Sequence, residues 1–177
     1  MKDWQKFLES NQERFEHELL DFVSIPSVSA SSEYVDDVER AARWVSNRLE
    51  KAGAENTVIM PTGGHPVVYG DWLHAGESKP TILIYGHFDV QPAEPFDLWD
   101  TPPFKPEIRN GKGYGRGASD DKGGMLIPII SFEAIKETKG ELPVNVKFLF
   151  EGQEEIGSPE LPEFIAKHRK KFSCDMI

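Results

Sequence analysis

Thr81-Ile82-Leu83-Ile84-Tyr85-Gly86-His87-Phe88-Asp89 is the stretch on which the reading of this chain turns. Thr81 to Tyr85 is β-branched, aliphatic or aromatic throughout, which predicts a strand buried on both faces. Polar residues follow at once. On an extended backbone His87 and Asp89 share one face while Phe88 takes the other. A neutral imidazole is a good metal ligand, and a neighbouring carboxylate can hold its second ring nitrogen. The plainer alternative is a buried histidine satisfied by its aspartate, and the triplet alone favours it.

Upstream, Trp4, Leu8, Phe15, Leu19 and Phe22 predict one amphipathic helix over 4–22. Pro26 and a serine-rich loop over 27–32 follow. Val35, Val38, Ala42, Val45 and Leu49 predict a second helix over 35–52, with Gly53 as its C-cap. Thr57–Met60 and Val67–Tyr69 read as strands joined by the turn Pro61–Gly64. Downstream, prolines 92, 95, 102, 103 and 106 exclude regular structure, and Trp99 and Phe104 are expected to anchor that loop. Asn110-Gly111 marks a tight hairpin between 107–109 and 112–114. A helix to about Thr138 is expected to be kinked or delayed by Pro128. Val144–Phe150 is a further apolar strand, 160–170 a short helix, and Cys174–Ile177 the opening of another strand. Helices alternating with apolar strands predict an α/β fold: a mixed, mostly parallel sheet flanked by helices.

Composition narrows the function. Thirty acidic residues against 20 basic give a net charge of −10, which argues against nucleic acid as partner. No apolar run approaches the roughly 18 residues of a membrane span. The polar opening Met1–Lys6 has no signal-peptide core, and the single cysteine excludes an internal disulfide. A cytoplasmic location is expected. Cys174 reads as a small core residue.

Two more polar clusters follow predicted strands or precede a helix, where sites gather in α/β sheets. Asp120-Asp121 comes after Gly115-Arg116-Gly117. The segment lacks the phosphate-loop lysine pattern, and two carboxylates there would repel phosphate. Helix capping and metal binding remain in even contest. Glu154-Glu155 follows the strand over 144–150 and could divide labour between holding a cation and accepting a proton from water. A solvated acidic loop is the alternative. Jointly, one histidine and two carboxylate clusters make up the mixed N/O set of a hydrolytic zinc site. Glu94, Asp97, Asp100 and Glu151 read as solvated surface. His17 and His168 read as exposed on helices, His65 and His74 as turn residues, all without a metal-ligand companion.

At Gly86–Val90, Gly115–Gly123 and Gly152–Ser158 the sequence closely resembles the di-zinc peptidases and deacylases that include carboxypeptidase G, aminoacylase, acetylornithine deacetylase and the carnosinase-type dipeptidases. The stretch His87–Gln91, Trp99 and Asp120-Asp121-Lys122 looks most like the dipeptidase branch. The resemblance implies His87 on one zinc, Glu155 on the other and Asp120 bridging them, with Mn2+ or Co2+ as alternatives. Asp89 would orient His87, and Glu154 would be general base and later acid. It further implies two ligands beyond Ile177, an aspartate and a histidine, and an inserted lid domain through which the parent forms a homodimer. Residues 1–177 are thus expected to be the N-terminal part of a catalytic domain, without full activity alone. Small peptides are the expected substrates; N-acyl amino acids and a non-catalytic metal-binding role are the alternatives.

Overall fold

The computed structural model describes residues 2–177. Helices α1 (Asp3–Ser10) and α2 (Gln12–Val23) replace the single helix expected over 4–22. Asn11 separates them: its side-chain amide donates to the Phe7 carbonyl at 2.9 Å. Such local bonding is the way asparagine competes with helix continuation. Helix α3 (Val35–Ala52) ends, as expected, on Gly53 at φ 89°.

Strands β1 (Glu55–Met60), β2 (Val67–Trp72), β3 (Thr81–His87) and β6 (Asn145–Glu151) form one sheet in the order β1-β2-β6-β3. The sheet is mixed: β1/β2 and β2/β6 are antiparallel, β3/β6 parallel. Strand β6 is buried along its whole length, as its central place requires. Strand β3 is not buried on both faces as its sequence predicts, and Tyr85 is 42% exposed. Strand order is the reason: among the described residues, β3 is met on its outer side only by a parallel bridge from Met176 to Ile82, where Leu83 N donates to Met176 O at 2.8 Å. Cys174–Ile177 thus begins to pair as expected. A separate hairpin, β4 (Glu107–Arg109) and β5 (Lys112–Tyr114), turns through Asn110 and Gly111 at φ 50° and 74°, the positive pair that a tight turn requires.

Both sheet faces are covered. On one, Val68, Trp72, Val146, Phe148 and Phe150 pack with Phe22 of α2, Val45 of α3 and Met125 of α4 (Lys122–Lys139). On the other, Tyr69, Leu83 and Leu149 meet Phe164 of α5 (Leu161–Lys167) and Phe172 of α6 (Arg169–Phe172), with Cys174 packed alongside. Helix α4 is not delayed by Pro128; it starts at Lys122 and runs through the proline, which removes the bond to the Gly124 carbonyl.

Lys122 ties α4 to the end of α2. Its fully buried ammonium donates to the carbonyls of Ile25 at 2.6 Å and Phe22 at 3.1 Å. Burial, with Arg40 adding repulsion, pushes its pKa down to about 7 against the opposing pull of Asp89 and Asp37. Lys122→Met keeps the stem volume but strips both carbonyls of their donor. It is expected to cost about 2 kcal/mol in urea unfolding, the scale of two orphaned acceptors less the relieved cost of burying the amine. An unchanged midpoint would show that these two bonds contribute nothing net.

Candidate metal centre

Strand β3 delivers His87 at its end, buried, and Asp89 and Gln91 flank Val90, which bridges to Val28. Asp89, fully buried, lies with Oδ1 3.5 Å from His87 Nδ1, and its backbone carbonyl is 3.2 Å from the same nitrogen. With Nδ1 so engaged, Nε2 is the free face of the ring. It looks toward Asp120 Oδ1 at 3.0 Å and Glu154 Oε2 at 3.7 Å. Burial disfavours the imidazolium, but the hydrogen bond and charge of Asp89 outweigh it and push the His87 pKa up to about 9.

Asp120 and Asp121 precede α4 and are joined by a cis peptide bond. Their side chains part company. That of Asp120 is 77% exposed and faces His87. Asp121 stands at the N-cap position but makes no side-chain cap; its Oδ2 accepts from the His87 backbone N–H at 3.3 Å. Its closeness to β3 depends on glycine, since a Cβ on Gly86 would lie 2.8 Å from Asp121 Oδ2 and one on Gly124 2.1 Å from Oδ1. Burial raises the Asp121 pKa.

Glu154 and Glu155 open a 3-10 turn (Glu154–Ile156) just past β6. Their backbone N–H groups donate to Asp89 Oδ1 at 3.1 Å and Oδ2 at 3.0 Å. Gln91 holds Glu155, donating to its Oε2 at 2.7 Å. The outcome is convergence: one ligand atom each of His87, Asp120 and Glu155 lies within 4.8 Å of the others. One imidazole nitrogen and two carboxylates at that spacing suit a divalent cation.

Glu151, expected on the surface, is 0% exposed. Its Oε1 accepts from Tyr85 at 2.5 Å and from Ser158 at 2.8 Å, fastening the loop that carries Glu154 and Glu155 to β3. Burial raises its pKa, and those two bonds oppose the rise. Glu94, Asp97 and Asp100 are exposed as expected, and Trp99 anchors the proline-rich loop through its indole N–H to Ala93 O at 2.8 Å. His17 is exposed, but His168 is half-buried between the rings of Phe164 and Phe172. His74 has an acidic companion after all, Glu55 at 2.9 Å, and His65 Nε2 lies 3.0 Å from Ser29 O. Sequence reasoning passed over Gln91, which continues the period-2 run of His87 and Asp89, and Ser29, whose part depends on tertiary pairing.

The sequence profile of peptidase family M20/M25/M40 matches residues 83–177, the part that holds all three polar clusters. The chain belongs to that family. It is 37% identical over 179 residues to the Cys-Gly metallodipeptidase dug1 of Schizosaccharomyces pombe, covering 93% of this chain and 37% of that protein. It is 33% identical over 179 residues to the Beta-Ala-His dipeptidase of Homo sapiens, covering 94% of this chain and 35% of that one. The crystal structure of human carnosine dipeptidase 1 superposes with a TM-score of 0.91 at 32% identity, over 99% of this chain and 40% of its own. The chain therefore spans little more than a third of the length of these relatives. Its likeness lies in the dipeptidase branch, and no helix among the described residues is long and apolar enough to cross a membrane.

Proposed function

We propose that this chain furnishes the N-terminal part of the catalytic domain of a metal-dependent hydrolase that cleaves the amide bond of small peptides, dipeptides foremost. The observation that carries this reading is the convergence of His87, Asp120 and Glu155 within 4.8 Å, with the Glu154 carboxylate 3.7 Å from His87. His87 and Glu155 would each hold one zinc ion, and Asp120 both. Bound there, zinc would polarise the scissile carbonyl and bring the pKa of water from 15.7 toward ~7. Asp89 holds the His87 ring by Nδ1, which leaves Nε2 to serve as the metal ligand. Glu154 takes the proton of the attacking water on its carboxylate and hands it to the leaving amine. The names of its relatives direct the substrate choice to Cys-Gly and Beta-Ala-His. A cytoplasmic enzyme that acts as a homodimer completes the reading.

Zinc titration by calorimetry tests it. Three protein ligands are expected to bind zinc with modest affinity, and both His87→Ala and Asp120→Ala are expected to weaken it further. Binding that is unchanged in both variants would remove the assignment.

A further inference from the structure

The segment over 27–32, a loop by its composition, is buried in its first half: Ser27, Val28 and Ser29 lie in the interior. It runs parallel to the chain just past β3, with Val28 bridged to Val90 and Val90 N donating to Ser27 O at 2.9 Å. Ser27 Oγ donates to Phe88 O at 2.6 Å. On the far side His65, from the β1–β2 turn, donates from Nε2 to Ser29 O at 3.0 Å. His65 is held in turn by Gln153 Oε1, which accepts from its backbone N–H at 3.3 Å. Ser29 is thus fixed from two directions by contacts that do not involve Asp89.

From that fixed place the Ser29 hydroxyl donates to Asp89 Oδ2 at 2.6 Å. A carboxylate offers about four lone-pair sites. Those of Asp89 meet three hydrogen-bond donors, Ser29 and the Glu155 N–H on Oδ2 and the Glu154 N–H on Oδ1, and His87 Nδ1 stands 3.5 Å from Oδ1. All but Ser29 belong to groups that the site must hold in place. Ser29 alone comes from outside it.

We infer that Ser29 is a positioning residue: its hydroxyl fixes the rotation of the Asp89 carboxylate, and through it the His87 ring and the turn bearing Glu154 and Glu155. The consequence for metal binding rests on the reading of the site given above. Without the hydroxyl, Oδ2 keeps one donor and the carboxylate can turn about its Cβ–Cγ bond. Ser29→Thr keeps the donor; Ser29→Ala does not.

Hydrogen exchange on the metal-free 177-residue chain reads the positioning by itself. Ser29→Ala is expected to speed exchange of the Glu154 and Glu155 amides about tenfold, the scale of one lost net hydrogen bond, while the β6 amides stay at wild-type rates. Ser29→Thr is expected to restore protection. Zinc titration of the same proteins is expected to show affinity about 10–100-fold weaker for Ser29→Ala, as for other partners that orient a metal ligand. Unchanged amide exchange in Ser29→Ala, or equal acceleration in Ser29→Thr, overturns the inference whatever zinc does. Faster exchange with unaltered zinc affinity also overturns it, since the carboxylate would then move without consequence for the metal. Faster exchange in a protein that binds no zinc even as wild type upholds the positioning and sinks the reading of the site instead.

Discussion

In the whole enzyme of which this chain is proposed to be the N-terminal part, Glu154→Gln is expected to cut hydrolysis of a dipeptide by about 10²–10⁴-fold while leaving zinc content unchanged. The amide has the shape of the carboxylate but cannot accept a proton from water, and Glu154 is not one of the three converging ligands. Its carboxylate stands 3.7 Å from His87 Nε2, near enough to reach water at the metal. Glu155→Gln is expected to do the reverse, lowering bound zinc first and turnover in consequence, because it removes an anionic ligand. Both backbone N–H groups stay on Asp89 in either variant, so the turn itself is kept. Turnover of Cys-Gly with zinc measured by atomic absorption on the same samples checks the pair. Equal metal loss in the two variants would contradict this division of labour.

That the two adjacent glutamates have different surroundings follows from how the turn past β6 is pinned. Asp89 takes both amides, so the side chains leave the turn in different directions. Gln91 then claims the Glu155 carboxylate at 2.7 Å, whereas Glu154 faces His87. Two adjacent residues of the same type are thereby given unlike surroundings by one buried carboxylate and one amide. The same buried carboxylate raises the pKa of His87 in the metal-free protein. A metal held at His87, as proposed, would therefore compete with protons for the ring, as wherever a ligand must lose its proton to bind.

What could be read from the residue order was what depends on short-range period. His87 and Asp89 alternate about Phe88, so their common face needs only an extended backbone. The pairs Asp120-Asp121 and Glu154-Glu155 could be singled out because they sit at the start of a helix and just past a strand; the choice of Asp120 and Glu155 within them came only from the family resemblance. Features set by distant partners escaped. Strand β3 has the composition of a central strand, yet it lies outside β6 because order across the sheet is fixed by long-range pairing. Glu151 carries a charge that belongs in water until Tyr85 and Ser158 supply donors from β3 and from seven residues on. Ser29 reads as loop until Val28 meets Val90. The break at Asn11 was local but faint, since the apolar stripe continues on both sides of it.

Glu133→Gln is expected to destabilise the chain by about 1.5–3 kcal/mol, the scale of a charge-assisted hydrogen bond lost from a buried ion-pair network. Glu133 lies on α4 and binds Arg14 of α2 at 2.7 Å and Arg48 of α3, so one carboxylate joins three helices. Arg48 is only 2% exposed, and its other partner is Glu18 at 2.8 Å. Its Nη1 is buried with no partner, so when Glu133 is neutralised the guanidinium keeps only the Glu18 carboxylate as a counter-charge. Arg14, more exposed, can turn to water; Arg48 cannot. The loss therefore falls on an interior cation. Removing that cation as well should return much of the stability. The double variant Arg48→Met/Glu133→Gln is expected to be more stable than Glu133→Gln alone, with a coupling of about 1–3 kcal/mol in a double-mutant cycle by urea unfolding. Additive single effects would show instead that the penalty comes from lost packing between the helices and not from a charge left half-compensated in the interior.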